Sequence, residues 1–177
     1  MTEATAKNAR ILVPVLVGAV VSVALGVYGA NHKGQSIVFE VSGFHNLVVV
    51  KSWMAGGAGV FALVQLVSAL VMYGKVPRVT PPSWIGALHR WSGRVAFLLA
   101  VPVGVFCLYG IGFQSYTPRV LVHSVLGCFF FGVFTVKMLV LTKRGLAGWV
   151  LPLMGGLTFT ALISVVATSA IWYAANH

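Results

Sequence analysis

The chain has 177 residues with Lys+Arg 12 and Asp+Glu 2, a formal net charge of +10, yet 59% of it is hydrophobic and only 8% is charged. A soluble domain has about a quarter of its residues charged, and a water-soluble fold could not cover this much apolar surface, so that class is excluded. Nucleic-acid binding, which such a net charge would suggest in a soluble chain, is also excluded, because the basic residues fall at the ends of apolar stretches, where they orient membrane helices.

A span needs roughly 20 apolar residues to cross about 30 Å of hydrocarbon. Stretches of that length recur near residues 11–30, 46–73, 84–112, 118–142 and 148–173, with the polar residues in the gaps between them. The expected fold is all-α: one polytopic membrane helix bundle over residues 1–177, with about five transmembrane helices. The first ten residues are polar, and the span after them is long and lacks a small-residue cleavage site, so it reads as a retained helix instead of a signal peptide. Residues 31–45, which include Glu40, form the one loop able to make an extramembrane lid. The second span carries Gly56, Gly57 and Gly59, where helices can approach closely, and Gly155 with Gly156 does the same in the fifth. Between spans two and three, Pro77, Pro81 and Pro82 fix backbone dihedrals and remove donors, which predicts an extended connector and a third span opening at about Trp84. Cys107 and Cys128 both lie within spans, as expected of buried free thiols.

Orientation follows from charge. With the N-terminus inside, that side collects Lys7, Arg10, Lys75, Arg78, Arg90, Arg94, Lys137, Lys143 and Arg144, against Lys33, Lys51 and Arg119 outside. Nine against three predicts N-in and C-out in the cell (inner) membrane, multi-pass. Tyr73, Trp84 and Trp149 then fall at inner ends, and Tyr28, Tyr109, Tyr116, Trp172 and Tyr173 at outer ends, as interfacial aromatic belts require.

Spans three and four share a pattern, H-x-x-x-G-x-x-x-F, at His89, Gly93, Phe97 and at His123, Gly127, Phe131, with the histidines 34 positions apart. Positions i and i+4 share a helical face, so each glycine sits one turn from its histidine and leaves room for a flat ligand or a close helix. Histidines inside spans are candidates for haem or metal ligation or for proton relay, with hydrogen bonding to a neighbouring helix as the plain alternative. The two lie near the starts of antiparallel spans, hence in opposite leaflets and roughly 25 Å apart at 1.5 Å per residue, too far to share one iron. For His123 the partner on the same side is His45, which opens the parallel second span in Gly43-Phe44-His45-Asn46. His32 and His177 are also on that side and are expected to be solvated. Lys51 and Arg119 are placed either to pair with haem propionates or to anchor the interface. His89 has no histidine on its side, and the soft ligands there are Met72, Met138 and Met154, each otherwise a core residue.

On Leu88-His89-Arg90-x-x-Gly93 and Val122-His123-Ser124-x-x-Gly127, the chain resembles the cytochrome b561 family and, more loosely, the ferric-reductase-like membrane cytochromes, over roughly residues 45–173. That resemblance implies a four-helix core with two b haems, one near each face. Carried over, one histidine pair falls on His45 and His123, while the other has His89 without a histidine partner, leaving Met154 as the candidate for that iron. The resemblance implies haem b, one or two per chain, with electron donors such as quinol or ascorbate and acceptors such as ferric chelates, oxygen species or a partner redox protein.

The expected function is therefore a membrane b-type cytochrome, either a quinol-linked oxidoreductase or the electron-transfer subunit of a respiratory complex. Its partners would be the lipid bilayer, quinone and other membrane or redox subunits. The competing reading is a haem-free structural or assembly subunit whose histidines bridge helices. Proton-coupled transport ranks last, because the chain has no Asp and neither Glu lies inside a span.

Overall fold

The computed structural model describes residues 3–32, 34 and 47–176. Among them the structure is all helical. Its elements are α1 (Glu3–Asn31), α2 (Leu47–Met72), α3 (Ile85–Ile111), α4 (Pro118–Leu141) and α5 (Val150–Asn176). Each contains a segment long and apolar enough to cross a membrane, so the chain is read as a five-helix, multi-pass membrane protein. Every expected span is present. The ends of α2 to α5 fall within three residues of those read from the sequence, and α1 starts earlier, at Glu3. The face that carries the start of α1 and the connectors 73–84 and 142–149 is termed the N-side, and the opposite face the C-side.

Local chemistry explains several boundaries. Thr117 caps α4, its hydroxyl accepting from the Val120 N–H at 3.3 Å, and Pro118 takes the first helical position, where a missing N–H costs nothing. At the other end of the α2–α3 connector the chain turns at Gly74 (φ 63°), a left-handed conformation open to glycine at no steric cost. Trp84 and Trp149 sit at the N-caps of α3 and α5, as the interfacial belt predicted. Pro102 lies within α3, and four residues later the helix widens into a π-turn over Phe106–Ile111; α5 widens likewise over Ala167–Ile171. Such widened turns are rare and concentrate at functional sites.

Packing is arranged as two sets of helices joined through α2 and α5. α1 lies against α4 and α4 against α5, while α2 lies against both α3 and α5. Lipid is as apolar as leucine, so contact between spans depends on close van der Waals fit more than on hydrophobic burial. The core that joins α2, α3 and α5 is accordingly built from small residues, with Ala55, Ala58, Ala62, Ala100, Ala161 and Ala170 buried around Leu162, Val166 and Phe130. Gly57 and Gly59 serve this packing, with a Cβ at either meeting Leu99 at 3.3 Å or Val166 at 3.2 Å, whereas Gly56, Gly155 and Gly156 face open space. α1 and α4 cross at Gly18 and Gly132, where a Cβ on Gly18 would stand 2.6 Å from the Gly132 carbonyl oxygen. Large apolar residues such as Val20, Val60, Leu98 and Val125 are exposed, the surface a bilayer would cover.

Candidate functional site

The C-side half of the bundle encloses a cavity of about 300 Å³ between α2, α3, α4 and α5, with an adjoining apolar lobe of about 60 Å³ toward the bundle centre. Its volume lies at the small end of the ~300–1,000 Å³ range of ligand clefts. His123 lines both parts, as do Gly104, Cys107, Gly127 and Phe131. The lobe is otherwise walled by apolar residues including Ala55, Ala100 and Leu162, while the main cavity also has Lys51, Arg119, Ser124 and Thr168 on its walls and Tyr116 and Trp172, both exposed, among its rim residues. Gly104, Cys107, Leu108 and Ile111, spaced i, i+3, i+4 and i+7, share the face of α3 that forms one wall.

The His123 ring is hydrogen-bonded to Thr168 of α5. The Thr168 hydroxyl donates its single proton to the Ser164 carbonyl at 2.8 Å, with the Val165 carbonyl at 3.1 Å as the other acceptor in reach. With its proton on the Ser164 carbonyl, the hydroxyl oxygen can accept from His123 Nδ1, 3.0 Å away, an arrangement that puts the ring proton on Nδ1 and leaves the lone pair on Nε2. A histidine ligand is typically oriented by such a bond from its other nitrogen. Arg119 is held in place as well. It donates to the Thr168 carbonyl at 2.5 Å and its guanidinium lies 3.7 Å from the Trp172 ring centroid. Lys51 stands 5.7 Å from the Phe106 ring centroid and within electrostatic reach of the Cys107 thiol. Among the described residues no acidic side chain lines the cavity, so Lys51 and Arg119 suit an anionic group on an otherwise apolar ligand.

Four of the expected site residues are thus brought together: His123, Gly127, Arg119 and Lys51 surround one cavity. Gly127 faces open space, with nothing within 4 Å of a Cβ placed there, which is the room the motif requires. Its counterpart differs. A Cβ on Gly93 would meet the Gln65 amide at 3.0 Å, so on that side the room goes to a side chain of α2. His89 turns toward Ser68, with Nδ1 2.8 Å from its hydroxyl. Met154 packs against Val136, Val140 and Val150, and Met72 and Met138 are exposed. His45 and His177 lie outside the described residues. His32, expected to be solvated, is instead stacked between Tyr28 and Tyr109 at 5.0 Å from each, with Nε2 buried and lacking a hydrogen-bond partner among the described residues.

The sequence reading missed Thr168, Gln65, Ser68 and Cys107 as parts of these surroundings. Serine and threonine in apolar helices ordinarily bond their own i−4 carbonyl, as Thr168 and Ser68 do. Their second contact, to a histidine of another helix, leaves no local pattern.

The model of DUF6529, a family of unknown function, matches residues 11–177, nearly the whole chain. The chain belongs to that family. No curated protein and no solved structure matches it. The DUF6529 match takes in all of α2 to α5 and the apolar part of α1, so it includes every wall of the cavity.

A test of the cavity in this DUF6529 protein is Gly127→Leu. The added side chain would enter the cavity beside His123, and since its Cβ meets nothing within 4 Å, folding yield should stay near that of the parent. Ligand occupancy should fall instead. Equal occupancy in the variant and the parent, read by absorption of the purified proteins, would remove Gly127 from the site.

Proposed function

We propose that the protein is a membrane-embedded b-type cytochrome that carries single electrons, in which His123 would hold haem b in the C-side cavity. The observation that carries this reading is the Nδ1–Thr168 hydrogen bond, which leaves the His123 Nε2 lone pair as the free donor of the ring at the wall of the cavity. The residues present fit the group. The apolar lobe and Phe131 suit a porphyrin face, Gly127 leaves space one turn from the ligand, and Arg119 and Lys51 supply cations for propionates. When bound, the haem supplies a one-electron couple. The chain's own part is to hold the histidine in one tautomer, to neutralise the acidic edge and to keep water from the iron, the means by which a protein tunes such a cofactor. On the b561-like pattern the other residue that would hold the iron is His45, two positions ahead of Leu47 in the sequence. Quinol or a redox subunit of the same membrane is the electron partner.

The experiment for this reading is a ligand exchange series. His45→Ala should convert the haem from a six-coordinate to a five-coordinate spectrum while leaving part of it bound. An unchanged six-coordinate spectrum would remove His45 and leave the sixth position to another residue.

The orientation proposed is N-side toward the cytoplasm, in the cell membrane, from the excess of basic residues on that side. With Cys107 and Cys128 replaced by Ala, a cysteine at Ser115, exposed on the C-side, should react with an impermeant thiol reagent added to intact cells. A cysteine at Thr80, exposed on the N-side, should not. The opposite labelling pattern would reverse the topology.

A further inference from the structure

The outer face of α3 exposes two arginines in the N-side half of the helix. Ser92, Ala96 and Ala100, the buried residues of this helix, define its inner face, whereas Ala87, Arg90, Trp91, Arg94 and Leu98 are exposed. Positions 87, 90, 91 and 94 are spaced i, i+3, i+4 and i+7, which puts them on one face. Trp84 continues this face to the start of α3, and Leu98 continues it toward the middle of the span.

Two contacts set where the guanidinium groups go. Arg90 Nη1 stands 3.6 Å from the point a Cβ on Gly86 would occupy, so Arg90 runs one turn toward the N-side across a position without a side chain. The Arg94 guanidinium lies 4.8 Å from the Trp91 ring centroid, which draws it the same way. Ala87 lies one turn to the N-side of Arg90 and Trp91 on the same face, and its methyl group leaves a recess that the larger side chains border.

Depth makes these charges costly. Arg94 is nine residues past Ile85, about 14 Å along the axis at 1.5 Å per residue, in a hydrocarbon layer about 30 Å thick. A cation on the lipid-facing side of a span is expensive unless it is compensated, and like charges at i and i+4 repel. The chain has only two acids, Glu3 and Glu40, and neither lies on α2, α3 or α4, so these helices supply no carboxylate. What meets an exposed face of a span is lipid. A lipid phosphodiester supplies the missing anion, since its oxygens match the forked donors of arginine, and its acyl chains would run along the apolar Leu98. Two cations without an acid favour a headgroup of net negative charge over a zwitterionic one, whose ammonium would meet like charge.

We infer that Arg90, Trp91 and Arg94 form a binding site for the phosphate of an anionic phospholipid in the N-side leaflet, seated over Ala87. The site is separate from the C-side cavity and independent of the haem reading.

The test is native mass spectrometry of the purified full chain titrated with phosphatidylglycerol and, separately, with phosphatidylcholine in micelles. The parent should retain phosphatidylglycerol more tightly than phosphatidylcholine. Loss of one charge-assisted hydrogen bond is worth on the order of a tenfold weakening, so Arg90→Gln and Arg94→Gln should each lower the affinity for phosphatidylglycerol by about that factor. Ala87→Leu fills the recess while keeping both charges, and it should lower the affinity as well. Lys143→Gln, which removes an exposed basic residue from the connector 142–149, should leave it unchanged. Soluble glycerol phosphate in excess should not displace the lipid, because it lacks the acyl chains. Equal retention of the two lipids by the parent overturns the site. So does an equal loss in Lys143→Gln, which would mean attraction to net charge alone, or undiminished binding in Ala87→Leu. Displacement by glycerol phosphate overturns a lipid as the occupant. If Arg94→Gln fails to fold, Arg90→Gln and Ala87→Leu decide the question, since both positions are exposed.

Discussion

His123→Ala is expected to abolish bound haem in the purified protein, whereas His32→Ala should leave it at the parental level. The contrast comes from position. His123 lines the cavity with Nε2 uncommitted, while His32 is stacked between Tyr28 and Tyr109 and lines neither part of it. A graded version separates ligation from packing. Thr168→Val removes the acceptor for Nδ1–H but keeps the volume, and loss of such an orienting partner typically costs 10–100-fold in metal affinity. Thr168→Ser restores the hydroxyl and should restore the affinity. Absorption spectra and haem titration of the four variants check this, and full occupancy in His123→Ala would eliminate the proposed ligand.

The second large effect concerns α1. Gly132→Leu should detach α1 from α4, because a Cβ at this position already runs into the Ser22 hydroxyl and stands 2.5 Å from the Gly18 carbonyl oxygen. A flexible side chain can move aside, but a helix backbone cannot. Overpacking of this kind costs about 1–3 kcal/mol or more, and the backbone contact puts this case at the upper end. Gly26→Leu on α1 is the control, since a Cβ there meets nothing within 4 Å. Unfolding of the two variants in detergent should show a lowered midpoint for Gly132→Leu alone. Equal midpoints would mean that the Gly18–Gly132 crossing does not hold α1 in place.

The five spans were legible because their signal is composition over a window, and each run of apolar residues is long enough to dominate its local context. Trp84 and Trp149 marked helix starts for the same interfacial reason. The cavity was only half legible. The spacing allows a flat ligand or a close helix beside each glycine; at Gly127 the space is open, while at Gly93 it is taken by the neighbouring helix α2. The difference lies on α2, where Gln65 reaches into the position, and no periodicity within α3 can report a side chain from another helix. The π-turn at Phe106–Ile111 was also hidden, because one widened turn changes which residues share a face without changing composition. Cys107, read as a buried thiol, is half-buried on the cavity wall.

The most direct measurement of the central claim is the dithionite-reduced minus oxidised absorption spectrum of the purified full-length protein, with haem and protein quantified on the same sample. The account predicts the sharp alpha band of a six-coordinate b haem at one haem per chain, lost in His123→Ala. A well-folded, monodisperse preparation from haem-supplemented cells that shows no such band would contradict it.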